Sequence, residues 1–431
     1  MSGFPTPRLR RFFRRYRLAW YLGLPFALIY LHYRARRDSD YRAHLAERFG
    51  RYRAPLPGAV WVHAVSLGEL RSAVPVIQRL LADGEKVVTT HFTPAGRRES
   101  ETVFAADIAA DRLRAVWIPF EFPWAFQRFF RAFRPRFGLV MEIEIWPEMI
   151  RAAHAADIPL IACNAQYPQK SFDRDRTSSV WRHDLYRGLA GACVKSDLQA
   201  ERFRAAGCPD IHVTGELRFD QPVPAAQVKT GTALRDRLAR RTLTVTSVVK
   251  GEDDVYIPLI KATRGPDAPM FVYVPRAPER FDETCDRLQA AGLRVARRSA
   301  VLAGDLSGDL PPETDVLLGD SMGEMYFYLA LCDAAIIGGG FVEKGAHNIS
   351  EPLALAKPVI VGPHTWTIEF PIVEALAAGA ATQVQTPQAL TDLIASGNWG
   401  SGDAARAFFA TQQGSVDRTM AAIRQMTPPR G

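Results

Sequence analysis

Carboxylates set beside small residues are where chemistry can start in this chain. "WVHAVSLGEL", Trp61 to Leu70, passes from an apolar stretch into Ser66, Gly68 and Glu69 before the pattern turns helical. Ser66-Leu67-Gly68-Glu69 fits the S-x-x-E capping box, with Ser as N-cap and Glu reaching back. The same spacing puts Glu69 at a strand end, where a carboxylate can take a proton from a hydroxyl. Gly68 leaves room there for a substrate to approach. A second group lies in "FGLVMEIEIWPEM". Glu142 and Glu144, two residues apart, are expected to share one face of a strand. Acids are costly inside a buried parallel strand and are better placed at a cleft rim. In "VTGELRFD", Arg218 follows a strand and a glycine turn; alone it reads equally as an anion ligand or a surface arginine.

Phosphate chemistry is concentrated further along. "GDSMGEM" and "GGGFVEKGAHNISEPLALA" each place small residues and backbone N–H groups at a helix start. Such starts bind phosphate through amide donors and the helix dipole. Glu351 falls early in the second helix, where it can accept from ribose hydroxyls or simply complement the dipole. "YVPRAPERF" adds Arg276 at a strand end between two prolines, able to fork onto a phosphate. The chain has no Walker lysine motif and no G-x-G-x-x-G after its first strand, which disfavours a P-loop NTPase or a dinucleotide site. A nucleotide-sugar phosphate fits better. The histidines are dispersed without an HExxH pair, so a mechanism independent of metal is expected.

These groups need a scaffold. From residue 58 onward short apolar runs alternate with amphipathic stretches: "AVWVHAV", "KVVTTHF", "AVWIPF", "IPLIACNA" and "GACVKS" read as strands with helices between them. That is βαβ alternation and predicts parallel sheets covered on both faces. A proline-rich break, "DQPVPAAQ", precedes a second round: "LTVTSVV", "PMFVYVP", "LRVARR", "DVLLGD", "AAIIGGG" and "KPVIVG". The expected architecture is α/β, two doubly wound Rossmann-like domains with a cleft between them, and ligands at the carboxyl ends of the strands. The expected division is a basic segment over 1–50, a first domain over 51–225 and a second over 226–431.

The 431 residues are 47% hydrophobic and 23% charged, enough to bury full cores without staples. The five cysteines show no CxxC spacing, which fits a reducing compartment. The net charge of +8 is unevenly spread, because arginines crowd both sides of "LAWYLGLPFALIYLHY", Leu18 to Tyr33. This stretch is short for a membrane span and is interrupted by Pro25. No small-residue cleavage site follows it. A helix lying on a membrane surface is expected, its arginines toward anionic headgroups on the cytoplasmic side. Nucleic acid is not expected as a partner, since the basic residues adjoin an apolar segment rather than lining a groove.

"HAVSLGE", "MEIEIWPEMI", "VTGELRFD", "VPRAPERF", "GDSMGEM" and "GGGFVEKGAHNISEP…KPVIVGPHT" occur in this order, and nearly the whole chain resembles the Kdo (3-deoxy-D-manno-octulosonic acid) transferases of lipid A assembly. The resemblance implies a GT-B fold, a CMP-Kdo donor and a lipid A precursor, lipid IVA, as acceptor at the inner membrane in lipopolysaccharide biosynthesis. It implies that Glu69 is the general base of an inverting, metal-independent glycosyltransferase. It gives supporting roles to Glu142 and to Arg218, where the family usually has Lys. Donor contacts map onto Pro275, Arg276, Met322, Gly323, Glu324, Asn348, Ile349, Ser350 and Glu351. Two loops depart from the pattern. "TSVVKGED" has Val248 and Val249 for Thr and His, and "NAQYPQKS" has Gln166 and Lys170 for Arg. A divergent relative using another sugar or membrane lipid therefore stays open. So do a sugar-nucleotide-binding protein without catalysis and a two-domain sugar-nucleotide epimerase.

Overall fold

A computed structural model describes residues 3–142, 144–177, 180–238, 240–265 and 267–427. Ile143, inside the "MEIEIW" stretch, lies outside them. The chain divides into two compact units, residues 1–221 with 414–431, and residues 222–413.

The first unit holds strands β1 (Val60–His63), β2 (Val87–His91), β3 (Leu113–Trp117), β4 (Gly138–Met141), β5 (Leu160–Ala165), β6 (Gly191–Val194) and β7 (Ile211–Val213). All pair in parallel, in the order β3-β2-β1-β4-β5-β6-β7. Side chains alternate between faces along a strand. In β1, Val60 and Val62 enter one core while Trp61 enters the other, so the sheet is buried on both sides.

The second unit holds β8 (Thr242–Val248), β9 (Met270–Pro275), β10 (Val295–Arg297), β11 (Val316–Leu318), β12 (Ala334–Ile337), β13 (Val359–Val361) and β14 (Ala381–Gln383). These too are parallel, in the order β10-β11-β9-β8-β12-β13-β14. In β9, Phe271 and Tyr273 pack on one face and Met270, Val272 and Val274 on the other.

Three sequence expectations change. Residues 414–431 pack with the first unit, not the second. The helix Ser415–Met426 sends Met420, Ala422 and Ile423 into the core on one face of the first sheet. Asp220 receives the backbone N–H groups of Gly414 and Val416 at 2.7 and 2.6 Å, fastening the start of that helix. Second, β4 ends at Met141 rather than running on through Glu142 and Glu144. Glu142 is in the left-handed region, φ +55, so Glu142 and Glu144 sit on a turn and not on one strand face. Third, Pro25 does not interrupt its helix, which runs unbroken from Pro7 to Arg34. Trp20, Leu24, Leu28 and Leu31 pack along it against Phe120 and Phe122, and this packing outweighs the one hydrogen bond a proline removes. Among the described residues no helix is long and apolar enough to cross a membrane.

Candidate active site

Strand order decides where each unit can bind a ligand. In the first sheet the order reverses direction between β1 and β4, and a crevice opens at the carboxyl ends of such a pair. β1 runs into Ser66 and Glu69, and β4 runs into Glu142. The helix Leu67–Ala82 starts here because Ser66 caps it, its hydroxyl 3.5 Å from the Glu69 N–H. Glu69 reaches back one residue further than a standard capping box. One carboxylate oxygen accepts from the Val65 N–H and the other from the Ser66 hydroxyl, each at 2.8 Å. A side chain at Gly68 would meet nothing within 4 Å, so the turn is open beside the carboxylate.

Burial raises Glu69 to about 7, and the negative charges of Glu144 and Glu142 add to it. The bonds from Ser66 and Val65 pull the other way without cancelling the rise. Glu69 thus caps its helix and is also poised near neutrality, where a general base works best. The neighbouring His63 is driven down to about 3 by burial and stays neutral.

Glu142 and Arg218 come together at the same strand ends. The Arg218 guanidinium lies 3.4 Å from the Glu142 carboxylate and donates at 2.8 Å to the Ser72 hydroxyl. Ser72 sits one turn past Glu69 on its helix and donates to the Gly68 carbonyl at 3.0 Å. Glu144 accepts from the Trp146 indole at 2.5 Å, and burial raises it.

Behind Arg218 is a buried cluster that the sequence did not single out. Lys195, just after β6, pairs with Glu216 at 2.7 Å with both side chains almost fully enclosed. Asn164 donates to Glu216 at 2.9 Å and accepts from the Leu217 N–H at 3.0 Å. Burial alone would raise Glu216, but the charges of Lys195 and Arg218 hold it below the usual carboxylate range. The cluster fixes the turn that carries Arg218. Its only sequence signal is charge at strand ends: Lys in "GACVKS", Glu in "VTGELRFD".

In the second sheet the reversal lies between β8 and β12. Glu252, in the turn after β8, is fully enclosed and accepts from the N–H groups of Gly339 (2.7 Å), Phe341 (3.1 Å) and Val249 (3.1 Å), and from the Tyr256 hydroxyl (3.2 Å). It clamps the glycine-rich loop after β12 to the end of β8. Gly339 has φ +88, and a side chain there would collide with the Gly345 carbonyl, so this loop requires glycine. Val248 and Val249 are buried, so the two altered positions of "TSVVKGED" face protein interior.

Pro275 closes β9 and Arg276 follows it, exposed. Its guanidinium contacts His347 Nδ1 at 2.8 Å. Burial first, then the charges of Arg276 and Lys344, press His347 down to about 4. A neutral imidazole therefore holds Arg276 and leaves its full charge for an anion. Met322 is exposed and Gly323 has φ +82. Glu324 receives Arg298 through both carboxylate oxygens, at 2.7 and 2.6 Å, and also the Ser321 hydroxyl; it braces its own turn. Asn348 accepts from the Ser350 N–H at 3.0 Å and hydroxyl at 2.7 Å. Ile349 and Ser350 are buried, and Glu351 is half-buried in the first turn of the short helix Ser350–Ala354. The first unit thus gathers Glu69, Glu142 and Arg218, while the nine other sequence candidates sit at strand ends, loops and a helix start of the second.

Comparison with known proteins gives the arrangement its context. Residues 43–221 match the family model described as 3-deoxy-D-manno-octulosonic-acid transferase (kdotransferase). A 3-deoxy-D-manno-octulosonic acid transferase from Bordetella pertussis is 39% identical over 93% of this chain and 96% of its own. One from Haemophilus influenzae is 29% identical over 79% and 80%. Among solved structures, a glycosyltransferase from Rickettsia africae superposes with TM-score 0.55 at 10% identity, covering 86% of this chain and 98% of its own. A UDP-N-acetylglucosamine 2-epimerase from Listeria monocytogenes gives 0.56 at 14% identity, covering 87% and 98%. At such identities the structural likeness speaks for fold alone, and the fold is GT-B.

Proposed function

This chain belongs to the 3-deoxy-D-manno-octulosonic acid (Kdo) transferase family of glycosyltransferases, and we propose that it moves Kdo from CMP-Kdo to the lipid A precursor lipid IVA, inverting the anomeric centre without a metal. The observation that carries the reading is Glu69, a hydrogen-bonded carboxylate at a strand switch point, held near neutrality and open at Gly68. Glu69 takes the proton of the acceptor hydroxyl as its oxygen bonds to the anomeric carbon. The bond from that carbon to the CMP phosphate breaks, and CMP leaves with the electron pair. Arg276 and the amides of the 322–324 and 348–351 loops neutralise the phosphate as it departs; such preorganised donors are often the largest catalytic term. Arg218 and Glu142 orient the acceptor side. Pro275 and Ile349 contribute through the main chain, and Glu324 by bracing its turn. The helix Pro7–Arg34 seats the enzyme on the cytoplasmic face of the inner membrane, supported by its exposed Leu18, Leu22, Phe26 and Ile29.

The test incubates detergent-solubilised enzyme with CMP-Kdo and a tetra-acylated lipid A precursor and reads products by mass spectrometry. A gain of one or more Kdo units is expected. A second reading, another sugar or lipid on the same machinery, is favoured by Gln166, whose oxygen is occupied by Lys195 at 3.3 Å. Failure of CMP-Kdo to compete for the site would select it.

One donor-side prediction follows from His347. His347→Leu removes the acceptor that orients Arg276 and is expected to weaken CMP binding about tenfold, since a hydrogen bond to a charged group is worth about 1.5 kcal/mol. His347→Gln, which keeps an acceptor oxygen, stays near wild type. Calorimetric titration with CMP checks both, and equal affinity in His347→Leu would remove His347 from the donor site.

A further inference from the structure

Along the helix Pro7–Arg34 one line of exposed residues changes character from end to end. Positions 11, 15, 18, 22, 26, 29 and 33 recur at helical spacing. The first two are arginines; then come Leu18, Leu22, Phe26, Ile29 and Tyr33. All are exposed, with Phe26 at 73% and Leu22 at 67%. The opposite face, with Leu9, Phe13 and Leu31, is buried against the unit. A single face therefore begins cationic and ends apolar.

At the cationic end lies an open groove of about 640 Å³. Of its seven lining residues, Arg8, Arg11 and Arg15 are basic and none is acidic. Arg8 leans on Asp184 at 3.8 Å. Arg11 and Arg15 are exposed. Phe12 and Trp181 stack at 4.2 Å and 13° to form an aromatic wall. Arg8 and Arg15 are seven residues apart, about 10 Å along the helix, a spacing that brackets one phosphate group. Guanidinium forks match phosphate oxygens, and tryptophan favours the boundary between headgroup and acyl chain.

We propose that this groove binds the phosphate of an anionic membrane lipid, while Leu18 to Tyr33 enter the acyl boundary beside it. The proposal rests on the membrane-surface reading above and adds a built headgroup site to it. The adjoining apolar stripe argues for a lipid source over free phosphate, because a soluble ligand gives Phe26 nothing to enter. The helix lies along the membrane plane with its arginines at headgroup depth.

The test is co-sedimentation of the full chain with vesicles of phosphatidylcholine alone and of phosphatidylcholine doped with phosphatidylglycerol. Wild type is expected to prefer the doped vesicles. Arg11→Gln/Arg15→Gln should weaken binding to them by roughly thirtyfold, from the energy of two basic residues at an anionic surface. It should keep the residual binding to neutral vesicles, and the unfolding midpoint confirms that the variant is folded. Leu22→Asp/Phe26→Asp should lose binding to both. If the arginine variant keeps the full anionic preference, the groove is overturned while the membrane reading stands. If wild type binds neither vesicle, both fall. If inorganic phosphate changes Trp181 fluorescence, scored against Trp181→Phe, and vesicles do not, the ligand is free phosphate and the lipid source is overturned.

Discussion

Glu69→Gln is expected to lose transfer by about 10²–10⁴-fold, the usual contribution of a general base. CMP binding should be unchanged, because Glu69 and the proposed nucleotide loops belong to separate units. The fold should survive as well, since the glutamine oxygen can still accept one of the two bonds now received from Val65 and Ser66. The pH profile gives an independent reading. A base works only when deprotonated, and burial has raised Glu69 to about 7. The rate of the wild-type enzyme should therefore rise tenfold per pH unit below 7 and level off above it. In Glu69→Gln that limb disappears. Wild-type turnover in the variant, or a limb that persists in it, removes Glu69 as the base and leaves it as a helix cap.

The largest stability effect is expected at Lys195. Lys195→Met leaves Glu216 enclosed and charged without its partner, which costs about 3–5 kcal/mol when a buried pair is broken. The double variant Lys195→Met/Glu216→Met should recover most of this, because an apolar pair needs no compensating charge. Denaturant midpoints measure both. The sign with pH is fixed by Glu216, which lies below the usual carboxylate range in the folded protein. Its contribution is fully present above about pH 4.3, the ordinary glutamate value, and is lost as pH falls through the lower folded value. The double variant should lack this acid dependence. It should still transfer slowly, since Arg218 stands on the turn that Glu216 and Asn164 pin. Full activity in the double variant would show that Arg218 needs no such support.

How far the sequence reveals this molecule depends on the range of the physics involved. The strands show as short apolar runs because parallel strands are buried on both faces, and the switch points follow once the runs are ordered. β14 is missed: "ATQ" is short and partly polar, an edge strand with little periodicity to read. Glu69 is legible because a capping box is local, four residues long. Glu142 is placed on the wrong element, since nothing local announces that the backbone turns left-handed after Met141. Lys195, Glu216 and Asn164 escape altogether. Their meaning lies in contacts between β5, β6 and the turn after β7, as much as 53 residues apart. Glu252 escapes for the same reason, because the amides it holds belong to a loop 87 residues later.

The helix Ser415–Met426 has a consequence for the order of synthesis. The ribosome releases the first sheet early, but one face of its core lacks Met420, Ala422 and Ile423 until the whole second unit has been translated. The second unit, residues 222–413, is an insertion whose own chain is complete before that helix emerges. Domains generally close as their chains appear. Here the half that is translated first is the last to be sealed. A nascent chain halted before residue 415 carries a complete second unit and a first unit with one apolar face still open to chaperones.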